Sequence, residues 1–95
     1  MKKKLYISVP ITGKQIEHAK DQAEHAKNLW SEWYDVITPF DIHHDQDKPY
    51  SFYLGKDIEA LLMCDAIYMC PGWVDSKGCN AEYQVAKIYG LDIIG

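Results

Sequence analysis

Two stretches of this chain carry acidic, small and basic residues in an order suited to holding a sugar and an anion. In Ser76-Lys77-Gly78-Cys79-Asn80-Ala81-Glu82, a polar loop runs into a helix expected over residues 79–89. The free N–H groups and positive dipole end at the start of such a helix favour a phosphate or carboxylate beside Ser76, Lys77 and Gly78. Glu82, expected in the first turn, would be kept ionised by the same dipole and so be available as a nucleophile. Asp57 is expected to begin the preceding helix. Converging with Glu82, it would complete the pair of carboxyl groups that glycosidic cleavage uses, one as nucleophile and one as general acid and base. Either residue also has a plainer reading, as an acidic side chain that stabilises a helix start.

Other residues are candidates for binding. Gly13 and Lys14, in the turn Ser8-Val-Pro-Ile-Thr-Gly13-Lys14, would let backbone approach a ligand and bring a cation to an anion. Trp73, in a loop, offers a flat face for a base, as do Tyr6, Tyr68 and the stretch from Tyr50 to Tyr53. His43 and His44, with Asp45 and Asp47, are ligand types for divalent ions, but adjacent side chains on extended backbone point apart, so no metal is expected. Asp65 reads as a structural turn residue before a buried strand. Cys64, Cys70 and Cys79 are odd in number and lack paired CxxC spacing, which suits reduced, buried thiols in a cytoplasmic protein.

Hydrophobic periodicity supplies the elements that must position these groups. Lys4 to Val9 alternates as a strand, and residues 14–34 place apolar side chains at three- and four-residue steps, as an amphipathic helix does. Trp30 and Trp33 belong to its buried face or to a subunit contact. Val36 and Ile37 form a short strand, and residues 40–55 read as a long polar and aromatic loop of functional or lid-like character. A helix over 56–63, a buried strand over 65–70, the helix over 79–89 with Gly90 as its C-terminal stop, and a strand over 91–94 complete the order β-α-β-α-β-α-β. That order specifies an α/β fold with a four-stranded parallel sheet, in which ligands bind outside the carboxyl ends of the strands.

Bulk properties narrow the function. With 95 residues, the chain supports one domain, residues 1–95. The net charge of −4 argues against polymeric nucleic acid as the partner. The apolar run after MKKK is too short for a membrane span or signal peptide. So small a domain is expected to associate as a homo-oligomer, a dimer or higher.

Taken together, these residues resemble the nucleoside 2-deoxyribosyltransferase superfamily, most of all its short uncharacterised bacterial and phage members, and also deoxynucleoside 5′-monophosphate N-glycosidases. The resemblance is carried by Leu5-Tyr-Ile-Ser-Val-Pro-Ile-Thr-Gly13, by Asp57-Ile-Glu-Ala-Leu-Leu-Met-Cys-Asp65, and by Ser76 to Glu82 with Ala86-Lys-Ile-Tyr-Gly90. It implies a three-layer, flavodoxin- or Rossmann-like fold and an enzyme that cleaves the N-glycosidic bond of a nucleoside or nucleoside 5′-monophosphate, by hydrolysis or deoxyribosyl transfer. Within it, Glu82 would attack C1′, Asp57 would protonate the departing base, and Tyr6 would orient Glu82. Ser76 in Ser-x-Gly-x-x-x-Glu would favour a 5′-phosphate, with Lys77 and Lys14 adding charge, whereas a one-residue shift would let Asp75 contact a free 5′-hydroxyl. No cofactor is implied. The alternative is a nucleotide-binding module without catalysis, since the chain is shorter than the characterised enzymes.

Overall fold

The structure, a computed structural model, describes residues 2–11, 16–43 and 47–95. β1 (Lys3–Ser8) lies at the middle of the sheet, and its residues from Leu5 onward are buried on both faces, as a central parallel strand requires. β2 (Tyr34–Ile37) pairs with one edge of it, Leu5 opposite Val36; β3 (Ala66–Met69) pairs with the other, Leu5 opposite Ala66. β4 (Asp92–Ile94) pairs with β3, so the order is β2-β1-β3-β4 and every pair is parallel. The fold is therefore the α/β, parallel-sheet architecture that the element order specifies.

The period-two alternation of β1 divides the core. Leu5, Ile7 and Val9 face α1 (Ile16–Trp30), whose Ala19, Ala23 and Ala26 pack against them. Tyr6 faces the other way, into a cluster with Ile67 and Met69 of β3, Leu61 of α3 (Tyr50–Leu62), and Cys79 and Ala86 of α4 (Lys77–Ile88). The chain thus moves outward from β1 to β2 by a helix on one face, then returns across β1 to β3 and β4 by helices on the other. The reversal leaves a crevice between the carboxyl ends of β1 and β3, the topological switch point where parallel sheets bind ligands.

Several element boundaries differ from the periodicity. The first helix ends at Trp30, not Tyr34, because Tyr34 is drawn into the sheet opposite Lys3. Trp33 consequently stands 60% exposed, and its N–H closes a turn onto the Trp30 carbonyl at 3.0 Å. Much of the expected loop over 40–55 is helical: α2 (Pro39–Ile42) follows β2 directly, and α3 begins at Tyr50, with Gly55 inside it rather than before it. Helix α4 begins two residues earlier than periodicity places it, at Lys77, because Ser76 caps it and accepts the Cys79 N–H at 3.2 Å. Its end is as expected. Gly90 adopts φ 74°, its N–H reaches the Lys87 carbonyl at 3.4 Å and that of Leu91 the Ala86 carbonyl at 2.9 Å, the bond pattern of a left-handed helix stop.

Asp65 joins three strand starts at the opposite end of the sheet. Its carboxylate accepts the Lys4 N–H at 2.9 Å, its own N–H donates to the Lys4 carbonyl at 2.9 Å, and its carbonyl accepts the Asp92 N–H at 3.1 Å. Among the described residues no helix is long and apolar enough to cross a membrane.

Candidate active site

Tyr6 and Ser8 occur two residues apart on β1 and so project from the same face, beneath α4. Each donates its hydroxyl to a different oxygen of Glu82: Tyr6 Oη to Oε2 and Ser8 Oγ to Oε1, both at 2.7 Å. Glu82 is the sixth residue of α4, a turn deeper than the sequence suggests, and only 4% exposed. The helix dipole therefore does not set its ionisation. Burial does, pushing the carboxyl up to about 7; the Ser8 and Tyr6 hydroxyls pull it down, and the neighbouring Asp57 charge pushes it up again. Burial, with the charges of Glu82 and Asp57, holds the Tyr6 phenol well above its ordinary range, so it remains a donor at neutral pH.

Asp57 is likewise an interior position, the eighth residue of α3, rather than a helix start. Burial raises its carboxyl, opposed by a nearby histidine and by Tyr6. The histidine is His43, at the end of α2, with Nε2 2.6 Å from Asp57 Oδ1. Asp57, Tyr6 and Glu82 thus share one electrostatic neighbourhood although they arise from three different elements. Tyr50 belongs to it too, its phenol raised by burial and then by the charges of Glu82, Asp57 and Cys79.

Tyr50 connects this buried group to an open cavity of about 350 Å³ beside the start of α4. The cavity wall includes Asp75, Ser76, Lys77 and Gly78, which sequence reasoning assigns to ligand binding, together with Ile11 from the turn after β1. Glu82, Asp57 and Tyr6 lie outside this wall. Gly78 and Tyr50 are close neighbours: a Cβ at position 78 would lie 3.0 Å from the Tyr50 hydroxyl, which would have to shift to admit it. Asn80 ties the preceding loop down by donating to the carbonyls of Val74 at 2.9 Å and Ser76 at 2.7 Å. Ser76 itself satisfies the Cys79 and Asn80 amides, through its hydroxyl and carbonyl. The first two helical amides, of Lys77 and Gly78, are left without partners among the described residues, in the position where a helix start receives an anion.

Trp73 is not part of that wall. Its ring stacks on Tyr83, with centroids 4.9 Å apart and planes at 27°, which occupies one of its faces. Gly13 and Lys14 lie outside the described residues, as do His44 and Asp45. Among the described residues no three His, Cys, Asp or Glu side chains gather as a metal site would need. A second cavity, of about 390 Å³, lies at the other end of the sheet between Lys3, Trp30, Trp33 and Tyr34 and holds no carboxyl group.

Ser8 was given no role by the sequence, His43 was weighed only as a metal ligand and Tyr50 only as part of a stacking face. Ser8 was within reach, since period two places it on the same face as Tyr6. The contacts of His43 with Asp57 and of Tyr50 with the start of α4 were not, because they depend on the helices that replace the expected loop.

The chain is similar in structure to a 2-desoxiribosyltransferase from Leishmania mexicana, with 18% identity and a TM-score of 0.64 over 96% of this chain and 61% of that one. It thus spans about three fifths of that protein's length, and the likeness establishes a shared fold. No curated protein sequence matches it. Residues 3–95 match the family model described as "Domain of unknown function (DUF4406)", and on that match, which takes in nearly the whole chain, the protein belongs to the DUF4406 family.

Proposed function

We propose that this protein cleaves the N-glycosidic bond of a nucleoside 5′-monophosphate or nucleoside, with Glu82 as nucleophile and Asp57 as general acid. The observation that carries the reading is a buried glutamate gripped by two hydroxyl donors, with a second carboxyl group in its field and no cation bonded to it among the described residues. A structural carboxylate so deeply buried would ordinarily be neutralised by a cationic partner. Two hydroxyls instead fix its orientation while leaving it electron-rich, as attack at C1′ demands.

In the first step Glu82 bonds to C1′ as the C1′–N bond breaks, and the base takes a proton from Asp57. The transition state is oxocarbenium-like and the product a glycosyl ester. Water or a second base then displaces Glu82 at C1′, giving hydrolysis or transfer. Ser76, Lys77 and the Lys77 and Gly78 amides would receive the 5′-phosphate, and Asp75 a free 5′-hydroxyl. This chemistry calls for no metal or organic cofactor. The similar structure is that of a 2-desoxiribosyltransferase, which lends the reading support at the level of a shared fold.

The test is to incubate the protein with nucleosides and their 5′-monophosphates, with and without acceptor base, and to detect freed base. Release that disappears in Glu82→Ala is the expected result. The second reading, a nucleotide-binding module, draws on the 4% exposure of Glu82 and the engagement of both its oxygens. Nucleotide binding without base release, unchanged in Glu82→Ala, would establish it instead.

A further inference from the structure

Asp57 has a partner that the glycosidic reading leaves unused. His43 Nε2 lies 2.6 Å from Asp57 Oδ1, and the two side chains are only 17% and 13% exposed. The imidazole is held from several directions. Its residue closes α2, donating its N–H to the Pro39 carbonyl at 3.1 Å, and its ring meets Tyr53 edge-on at 5.0 Å. Helix α2 is fixed in turn, because Asp41 accepts the Thr38 N–H at 2.9 Å and Lys27 of α1 at 3.1 Å. A helix of four residues immediately after β2 thus serves to deliver one imidazole to one carboxyl group.

The groups whose charges meet Asp57 are Tyr6 from β1, Glu82 and Cys79 from α4, and Tyr50 from its own helix. All are acids that become anionic on ionisation. His43 is the one group around Asp57, among the described residues, that gains positive charge by taking up a proton. A carboxyl group that has given its proton to a departing base, beside a second carboxyl and only 13% exposed, recovers one most directly from the imidazole bonded to it.

We propose that His43 is the proton relay behind Asp57, a positioning residue that keeps Asp57 charged with the proton the leaving base requires. The inference rests on the glycosidic reading above. As the C1′–N bond breaks, its electron pair goes to the base nitrogen, which takes the Asp57 proton, while C1′ bonds to Glu82. The His43 imidazolium passes its Nε2 proton to Asp57 and becomes neutral. When water attacks C1′, the bond to Glu82 breaks with its electron pair returning to the carboxylate, and the proton of the water passes through Asp57 back to His43. The oxygen bonded to the imidazole is Oδ1.

The experiment compares wild type with His43→Gln, whose amide still donates to Asp57 but cannot relay a proton, on two kinds of substrate. One kind carries an ordinary neutral base; the other carries a 7-methylated, cationic purine that departs without a proton. The expected result is a loss in kcat/KM of about 10²-fold or more on the neutral bases and less than about tenfold on the cationic one, in line with general acid catalysis. In parallel, the Asp57 carboxyl carbon is titrated by NMR, where His43→Gln should raise its midpoint by removing the opposing positive charge. His43→Asn serves as a second variant if Gln impairs folding, and the same rise of the Asp57 midpoint is expected in it. Equal losses on both substrate kinds, or an unmoved Asp57 midpoint in both variants, would overturn the relay while leaving the glycosidic reading standing. Failure of wild type to release base from any substrate would overturn both.

Discussion

Ser8 donates its hydroxyl to Oε1 of Glu82 at 2.7 Å, a bond from the last residue of β1 to the middle of α4. Because that donor favours the ionised carboxylate, Ser8→Ala should move the Glu82 midpoint above its present value of about 7. A nucleophile must be ionised, so the rate of wild type should rise with pH through about 7, and the rise in Ser8→Ala should come later. At pH 6 a loss in kcat/KM of about tenfold is expected, on the scale of one hydrogen bond to a charged group. Base release measured from pH 5 to 9 checks this, and coincident profiles would contradict it.

Burial of Glu82 also makes stability depend on pH. The folded carboxyl titrates at about 7 against an ordinary value of 4.5, so the stabilisation is complete below the unfolded value and is lost as pH rises through the folded one. The difference corresponds to about 3 kcal/mol between pH 4 and pH 8. Glu82→Gln should therefore abolish catalysis yet raise Tm at pH 8, with little change near pH 4. Thermal melts of both proteins across that range give the answer, and a Tm at pH 8 below that of wild type would refute the account.

Gly78→Ala should separate folding from binding. The added Cβ meets only the hydroxyl end of Tyr50, which is an exposed, movable side chain, and alanine is the better helix former by up to about 1 kcal/mol. Tm should hold or rise. Displacing Tyr50 narrows the cavity beside α4, so KM for a nucleoside 5′-monophosphate should increase about threefold to tenfold, the scale of a weakened hydrogen-bonding contact. Steady-state kinetics beside a melting curve tests both halves.

At the far end of the sheet, Asp65→Ala removes the acceptor of the Lys4 N–H. The expected cost is about 1 kcal/mol, or a fall in Tm of about 5 °C, with kcat and KM unchanged. A selective loss of activity would give Asp65 a role in the site that its position does not.

The thiols should be inert in the folded protein. Burial pushes Cys64 up to about 11 and Cys70 up to about 12, and raises Cys79 as well. Alkylation at pH 8 should proceed on the order of a hundredfold more slowly than for the unfolded chain, because little thiolate is present. Mass spectrometry of protein quenched over time reads the rate.

Much of the architecture was legible because it is written in local periodicity. The alternation of Leu5, Ile7 and Val9 and the continuous apolar run before Pro71 marked the central strands, while Gly90 marked a helix end by its need for positive φ. The two carboxylates were legible by type and spacing, but not their depth. Asp57 and Glu82 read as helix starts since Gly55 and Gly78 looked like boundaries, and both glycines lie within helices that the sheet supports from one side. Ionisation then changed sense, from dipole-assisted to burial-suppressed. His43 was hidden more completely. Nothing in residues 40–55 repeats with a helical period over a long enough span, and α2 exists by virtue of Pro39 at its start and the Asp41 contacts around it.

Tyr6 and Glu82 meet across 76 positions of the chain. A ribosome adding about 5–20 residues per second delivers the phenol several seconds before its acceptor. Until then the nascent protein holds a central strand whose hydroxyls have no carboxylate to grip, and contacts of such long span close slowly. The glutamate contact accordingly waits on α4: no product that stops short of that helix can assemble it.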